Sequence, residues 1–448
     1  MSRVVPRRLL VVTFHSQPGT QVGGLRWWGL SRHLAARGWE IRLLTANPAA
    51  EKQSVPEGMT VESVVPDVTL NDRYRGWRKA RDTNDPKGTD GDSAAVRSHR
   101  RGSTRSPGAL RRFRRELGGL LSFPDEGRGW LLPAQRAVSR RIGAFQPSVV
   151  VSSGPPHSTH LAVLAALRSH RTPWVADFRD PWSDEGRAHL DIFWAQPLLG
   201  RCEASVVRRA TRVLTTTPEL ATILQNRFPA STVQCLPNGV DMATLPERST
   251  SEITELNVVH LGTIYHRRDP LPVVRAFALF LRRTPEARRS GSRLRFIGRV
   301  DSLYEEKIRR VAGEEGILEH VELGGLRPRA EALEILARAG VSVVLAQDQG
   351  TAIPAKIYES VGLGIPTMVL TEHGSATAAA GRRLGAAVHP SEDLEGMARS
   401  LEAAWLDEWD GSVPSGVAVD YAELAGQAEK ILLAACERRD SVSTMTEP

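Results

Sequence analysis

The chain opens with a short apolar run, Leu9 to Thr13, of a length that suits a buried strand. A loop through Pro18 and Gly23-Gly24 follows, then a stretch in which Leu30 and Leu34 share one helical face, then Gly38, where a helix C-terminal cap is expected. Ile41 to Thr45 is the next apolar run. Strand, helix and strand in that order predict a βαβ unit with parallel strands. The rhythm resumes with Val149 to Val151, a helix after His157, Trp174 to Asp177, Val213 to Thr215 and Val233 to Leu236. Thr217-Pro218-Glu219 predicts a helix start, because proline at the first helical position gives up no N–H that the helix needs. After a turn at Pro237-Asn238-Gly239 and a polar stretch, Ser249 to Glu255, the alternation restarts. Its strands are Val258 to Leu261, Leu294 to Ile297, Val321 to Leu323, Val341 to Leu345 and Thr367 to Leu370, each followed by helix-compatible sequence.

The predicted fold class is therefore α/β, with two Rossmann-like domains that each carry a parallel sheet. The expected boundaries are 1–248 for the first domain, 249–410 for the second, and 411–448 for a C-terminal helix that crosses back to the first domain, plus a tail. In open α/β sheets ligands bind at the carboxyl ends of the strands, so a cleft between the two sheets is the expected site.

Composition supports a folded two-domain chain. Its 448 residues exceed what one core usually organises, and 41% apolar with 25% charged residues is an ordinary globular balance. No apolar run approaches the roughly 20 residues of a membrane helix. Arg3, Arg7 and Arg8 precede an apolar segment too short for a secretion signal. Cys202, Cys235 and Cys436 are odd in number, far apart and without metal-ligand spacing, which fits a reducing compartment, the cytoplasm.

The net charge of +8 changes the picture only locally. Between Asn71 and Gly118 stand fourteen Lys or Arg and six Asp or Glu, so this segment alone holds the excess. A charge so confined argues for a basic arm and against a fold built to bind nucleic acid. Residues 82–108 are nearly devoid of apolar side chains and are predicted to be a disordered insert. Beyond them Leu110, Phe113, Leu117 and Leu120 share a helix face, with Arg111, Arg112, Arg114 and Arg115 between. Residues 110–121 thus read either as a peripheral contact with anionic lipid at the inner membrane face or as a helix packed on the first domain with its arginines in solvent.

Candidate chemistry gathers at predicted strand ends. Gly262, Gly298 and Gly325 follow strands, where a missing side chain lets backbone approach a base or phosphate. Lys356 follows Pro354 at a predicted helix start, a place that favours anions. Gly23 and Gly24 lack the G-x-G-x-x-G arrangement, which counts against a dehydrogenase. Arg179 and Asp180 follow a strand that ends near Asp177. Asp180 reads as a base for, or an orienter of, an acceptor hydroxyl, and Arg179 as a contact to an acidic acceptor or a phosphate; a buried Asp–Arg pair that shapes the loop is the competing reading. His157 and His160 follow a Pro-Pro turn, where a histidine either relays a proton or caps the next helix. Asp90-Gly91-Asp92 has the letters of a metal-binding DxD but lies in the polar insert, and no other cluster suggests a metal.

Together several segments resemble the GT-B glycosyltransferases, in particular the family 4 group that builds bacterial polysaccharides and glycoconjugates. They are Gly23-Gly24-Leu25-Arg26, Ser153-Gly154-Pro155-Pro156-His157-Ser158-Thr159-His160, Asp177-Phe178-Arg179-Asp180-Pro181-Trp182 and Leu236-Pro237-Asn238-Gly239-Val240-Asp241. The second half adds His260-Leu261-Gly262-Thr263, Phe296-Ile297-Gly298-Arg299, Ile353-Pro354-Ala355-Lys356-Ile357-Tyr358-Glu359 and Gly364-Ile365-Pro366. The resemblance implies GT-B domains facing across a cleft, with transfer of a sugar from a nucleotide-diphosphate sugar to a hydroxyl acceptor, lipid-linked acceptors included. It implies retention of configuration, a hexosyltransferase-like activity, and no metal or other cofactor. Of Arg267 and Arg268 it favours Arg268 as the phosphate ligand, with Glu359 on the ribose hydroxyls and Gly23 and Gly24 reaching the donor phosphates. Thr351 stands eight positions before Glu359, where the family often carries a second Glu that touches the sugar; Asp348 offers a carboxylate from the same loop. The competing functions are a nucleotide-sugar epimerase of the same architecture and a non-catalytic binding protein with a basic arm.

Overall fold

The computed structural model describes residues 7–19, 22–69, 72, 123–183, 195–248, 255–266, 268–289, 291–348, 350–411 and 419–443. Each apolar run of the sequence forms a strand. In the first half these are β1 (Arg8–Thr13), β2 (Glu40–Thr45), β3 (Met59–Ser63), β4 (Val149–Gly154), β5 (Trp174–Phe178), β6 (Arg212–Thr215) and β7 (Val233–Cys235). In the second they are β8 (Asn257–Leu261), β9 (Arg293–Ile297), β10 (Val321–Gly325), β11 (Val341–Leu345), β12 (Thr367–Leu370) and β13 (Ala387–His389). The edge strands β3 and β13 were not among the predicted elements. Their short, partly polar sequences, MTVES and AVH, carry too little apolar signal to stand out.

All pairings in both sheets are parallel. The strand orders are β3-β2-β1-β4-β5-β6-β7 and β10-β9-β8-β11-β12-β13. Counted from its own first strand, the second sheet repeats the order of the first six strands of the other. Each order reverses once, between β1 and β4 and between β8 and β11, and the carboxyl side of such a reversal is where an open α/β sheet leaves a crevice for ligand. Parallel strands are covered on both faces, which is why these runs are continuously apolar and do not alternate.

The chain divides into two compact units, one of Met1–Thr215, Leu220–Cys235 and Ala425–Pro448, the other of Thr216–Glu219 and Leu236–Leu424. The division falls at Leu236, ahead of the polar stretch 249–255. The reason is packing: Val240 is buried with Ile353, Ile357, Tyr358 and Val369, and its backbone pairs with Val419 and Asp420. The helix Tyr421–Ser443 rejoins the first unit from Ala425 onward. There Glu429 accepts hydrogen bonds from Arg7 and from Trp39 Nε1, and the Ala434 carbonyl accepts one from Arg212.

In the first unit Leu10, Val12, Val150, Trp174 and Phe178 pack with Ala134, Val138 and Ile142 of the helix Leu131–Phe145 and with Ala162 and Val163 of the helix Ser158–Ala166. In the second, Val258, Leu294, Phe296 and Val343 meet Phe277, Phe280 and Leu281 of the helix Leu271–Arg283, while Val259, Leu261 and Ile297 meet Leu333 and Leu336 of the helix Arg329–Ala337. Helix ends follow local rules. Gly38 takes φ +84 just past the helix Leu25–Ala36, and Pro218 begins the helix Pro218–Arg227.

Candidate active site

At the carboxyl edge of the first sheet the dominant group is Asp177, the fourth residue of β5 and fully buried. It accepts hydrogen bonds from Arg26 Nε at 3.1 Å, from Trp27 Nε1 at 2.8 Å and from Ser153 Oγ at 2.8 Å. Arg26 lies in the first turn of the helix Leu25–Ala36 and is 2% exposed. Burial pushes the Asp177 carboxyl up, but the Arg26 charge, its hydrogen bonds and those of Ser153 and Trp27 together hold it below the ordinary carboxylate value. Charge and hydrogen-bond capacity are both taken up within the protein, so Asp177 locks β4, β5 and the first helix together.

Above this lock, Arg179 donates through Nε to the Gly154 carbonyl at 3.2 Å and through its terminal nitrogen to the Pro155 carbonyl. Gly23 lies directly on the Arg179 guanidinium, which a side chain there would have to displace. Gly24 packs as closely on the backbone of Ser16, a Cβ falling 2.8 Å from the Ser16 Cα. His15 is nearby, and burial and then the Arg179 charge bring its pKa down to about 4. Asp180 is half-buried and makes no hydrogen bond or ion pair among the described residues. His157 and His160 sit in an aromatic stack, His157 on Trp182 at 4.8 Å and His160 on Phe178 at 4.6 Å. Trp174 Nε1 donates to Ser152 Oγ, which lies 2.7 Å from His160 Nδ1, and burial holds the His160 pKa down at about 3. Both histidines are packed side chains, which leaves Arg179 and Asp180 as the half-exposed polar groups of this edge.

The second sheet presents the opposite balance. Gly262 follows β8 with φ +149, and a Cβ there would lie 2.5 Å from Lys356 Nζ. Gly298 follows β9 with φ +139 and packs against the backbone of Gly262. These two glycines let backbone and ammonium crowd together at the carboxyl end of the sheet. Lys356, the first residue of the helix Lys356–Gly362, makes no hydrogen bond or ion pair through its side chain among the described residues. Burial first, then the Arg268 charge, lower its pKa to about 8, with Glu359 opposing and Arg329 adding to the fall.

Arg268 lies over the Tyr265 ring at 5.1 Å and donates to the Thr263 carbonyl at 3.3 Å; its Nε is buried and unpartnered among the described residues. Glu359, 5% exposed, pairs with Arg329 at 2.5 Å. Lys356 thus feels two arginines, Arg268 and Arg329, and one carboxylate, Glu359, which Arg329 already pairs. The Thr351 carbonyl accepts from Thr217 Oγ1 at 3.1 Å. Asp348 takes φ +57, and its N–H donates to Glu372.

The structure thus brings Gly262, Gly298, Arg268, Lys356 and Glu359 together in the second unit, and Gly23, Gly24, His157, Arg179 and Asp180 in the first. Arg267, Asp90-Gly91-Asp92 and the basic segment 110–121 lie outside the described residues. Sequence reasoning named Asp177 without its partner, and it missed Arg26, Arg329 and His260 as members of these clusters. An arginine beside a tryptophan in the first turn of a largely apolar helix was the available signal for Arg26; nothing local marked Arg329.

Comparison with known proteins gives the following. Residues 23–239 match the family model described as "Glycosyl transferase 4-like domain". No curated protein matches the chain in sequence. Among solved structures, sucrose-phosphate synthase from Thermosynechococcus elongatus is similar with TM-score 0.59 and 13% identity, over 96% of this chain and 100% of that one. The α,α-trehalose 6-phosphate synthase of Burkholderia multivorans is similar with TM-score 0.56 and 15% identity, over 98% and 100%. Anabaena HepE, in complex with UDP, gives TM-score 0.54 and 12% identity, over 95% and 100%. At such identities the likeness establishes the fold, which is GT-B.

Proposed function

We propose that this protein, a glycosyltransferase of the GT-B fold with a glycosyl transferase 4-like domain over residues 23–239, holds the diphosphate of its nucleotide-sugar donor on Lys356 and Arg268. The observation that supports the reading is the excess of cations in the second unit: Lys356 is half-buried and makes no ion pair among the described residues, and Glu359, the nearby carboxylate, is engaged by Arg329. Desolvating an ammonium that lacks a partner is costly, and a site retains one where a ligand supplies the missing anion. The departing nucleoside diphosphate gains negative charge as the glycosidic bond breaks, so fixed cations act where the transition state needs them. UDP in the Anabaena HepE structure supports a nucleotide at such a fold.

Glu359 keeps one oxygen on Arg329 and offers the other to the ribose hydroxyls. Gly262 and Gly298 admit the phosphates, and the loop through Asp348 and Thr351 faces the sugar. In the first unit Asp180 serves as base for the acceptor hydroxyl and Arg179 orients the acceptor; Gly23 and Gly24 bring their loop to the donor. His157 frames this edge by its stacking on Trp182. Lys356 and Arg268 supply the charge that a divalent ion supplies elsewhere, so turnover is expected to survive EDTA. Retention of configuration, implied by the family resemblance, is read from the anomeric coupling of the product. The acceptor is a hydroxyl of a glycoconjugate, polysaccharide or metabolite in the cytoplasm. Among the described residues no helix is long and apolar enough to cross a membrane. A lipid-linked acceptor reached through 110–121 is tested by liposome flotation.

The deciding experiment is a thermal-shift screen of nucleoside diphosphates on the full chain, followed by turnover with the matching nucleotide sugars. A ligand at about 100 times its Kd stabilises by about 2.7 kcal/mol, and one base should stand out. No stabilisation by any diphosphate removes the reading. Conversion of a nucleotide sugar to a second nucleotide sugar without acceptor would establish the epimerase instead.

A further inference from the structure

His260 lies in β8, two residues before Gly262, and is 1% exposed. Its Nδ1 is 2.9 Å from the Val343 carbonyl. A carbonyl only accepts, so Nδ1 carries the proton and donates it, and Nε2 is left with a bare lone pair. That Nε2 is buried without a partner among the described residues. Its surroundings forbid protonation: burial first, then the Lys356 charge, bring the His260 pKa down to about 3, the Val343 bond opposing and Arg268 adding to the fall.

The Nε2 atom and the ammonium border the same gap beside Gly262. A single atom at the Cβ position of Gly262 would lie 2.5 Å from Lys356 Nζ and 3.3 Å from His260 Nε2. An acceptor with no proton is repelled by phosphate oxygens and attracted by N–H groups, and Lys356 brings the ammonium to this point.

We propose that His260 is a positioning residue for Lys356, its bare Nε2 accepting one N–H of the ammonium when a diphosphate engages the other two. This rests on the diphosphate reading of the site and deepens it. The groups that face Lys356 are Arg268 from the loop after β8, Arg329 from the helix Arg329–Ala337, Glu359 from its own helix and His260 from β8. Two of these are cations that drive the proton off; Glu359 is shared with Arg329; His260 contributes an acceptor that keeps the proton on. Without that acceptor the ammonium is lost at lower pH, and diphosphate binding falls away earlier on the alkaline side.

The test is calorimetric titration of the full chain with UDP, GDP and ADP between pH 6.5 and 9. His260→Asn keeps a donor near the Val343 carbonyl but places nothing at Nε2; His260→Gln does the reverse. For the diphosphate that the native chain prefers, His260→Asn is expected to bind about tenfold more weakly at pH 8, with its alkaline limb at lower pH, and His260→Gln to stay within about threefold. In a Lys356→Met background His260→Asn should add no further loss, a result that a general packing defect would not give. Equal affinity and an unmoved alkaline limb for His260→Asn overturn the proposal, as does an undiminished loss in the Lys356→Met background. Failure of the native chain to bind any of the three nucleotides removes the diphosphate reading itself, and the proposal with it.

Discussion

The two units bury charge at the carboxyl edges of similarly ordered sheets, and they treat it in opposite ways. In the first, Asp177 is closed off by Arg26, Trp27 and Ser153, so charge and hydrogen-bonding capacity are spent inside the protein. In the second, Lys356 lies near the charges of Arg268, Arg329 and Glu359, Glu359 is paired with Arg329, and the Lys356 ammonium makes no hydrogen bond or ion pair among the described residues. A saturated cluster fixes a frame, while on the proposed reading an unsaturated one is half of an interaction that a ligand completes. The contrast sorts neighbouring polar residues by function without reference to where they fall in the sequence.

The largest effect expected from breaking this contrast is at Asp177. Asp177→Asn leaves Arg26 charged and buried beside a neutral amide, and removal of one partner from a buried pair costs about 3–5 kcal/mol. Urea denaturation should show that loss, and hydrogen exchange should place the lost protection in the first unit. A neutral outcome would deny the pair its structural role. Lys356→Met should behave in the reverse sense: affinity for the preferred nucleoside diphosphate falls by about 2–4 kcal/mol, while stability of the unliganded chain holds or rises. Parallel losses of stability and affinity would place Lys356 in the frame with Asp177.

Titration sharpens the same difference. Lys356 has a folded pKa of about 8, below its unfolded value of about 10.4. Below pH 8 both states are protonated and the cost of burying the charge is fully present. Between these two values the folded chain has released a proton that the unfolded chain keeps, so stability of the unliganded protein rises with pH while its affinity for a diphosphate declines. The buried histidines act at the other end. His160 and His260 have pKa values of about 3, so as pH falls below about 6.5 the unfolded chain takes up protons that the folded one refuses, and stability drops in both units. Thermal melts with and without nucleotide across pH 5 to 9 check both signs. A liganded protein that gains stability with pH above 8 as steeply as the unliganded one would contradict the assignment of Lys356 to the ligand.

Much of the fold was legible because parallel, doubly covered strands write themselves as continuous apolar runs, as in Leu9 to Val12 and Val341 to Leu345. Edge strands such as Ala387–His389 do not. For the candidate site, Lys356 was singled out from its helix start behind Pro354 and Glu359 from the family resemblance, and the structure puts both on one short helix. Their partners were not: Arg329 lies 30 residues from Glu359, and Arg26 lies 151 from Asp177. Such pairings are set by strand order and crossover packing, which no local spacing encodes. His260 was hidden for another reason, since within β8 it occupies a buried position as an apolar residue would.

The smallest predicted effects separate the adjacent glycines of the first loop. At Gly24 an added methyl group would meet backbone atoms of Ser16 at 2.8–2.9 Å, and Ser16 is fastened by hydrogen bonds from Asn47 Nδ2 to its carbonyl and from Thr45 Oγ1 to its Oγ. At Gly23 the obstacle is the end of the Arg179 side chain, which has rotamers to spare. Gly24→Ala should therefore lower stability by about 1–3 kcal/mol, as overpacking does, while Gly23→Ala should change it by less than about 1 kcal/mol. The two reverse in activity per folded molecule. Gly23→Ala displaces the guanidinium from its place over Gly154 and Pro155, so kcat should fall if Arg179 orients the acceptor, with affinity for the nucleoside diphosphate in the second unit preserved. Unchanged kcat in a folded Gly23→Ala variant would assign Arg179, like Arg26, to the frame.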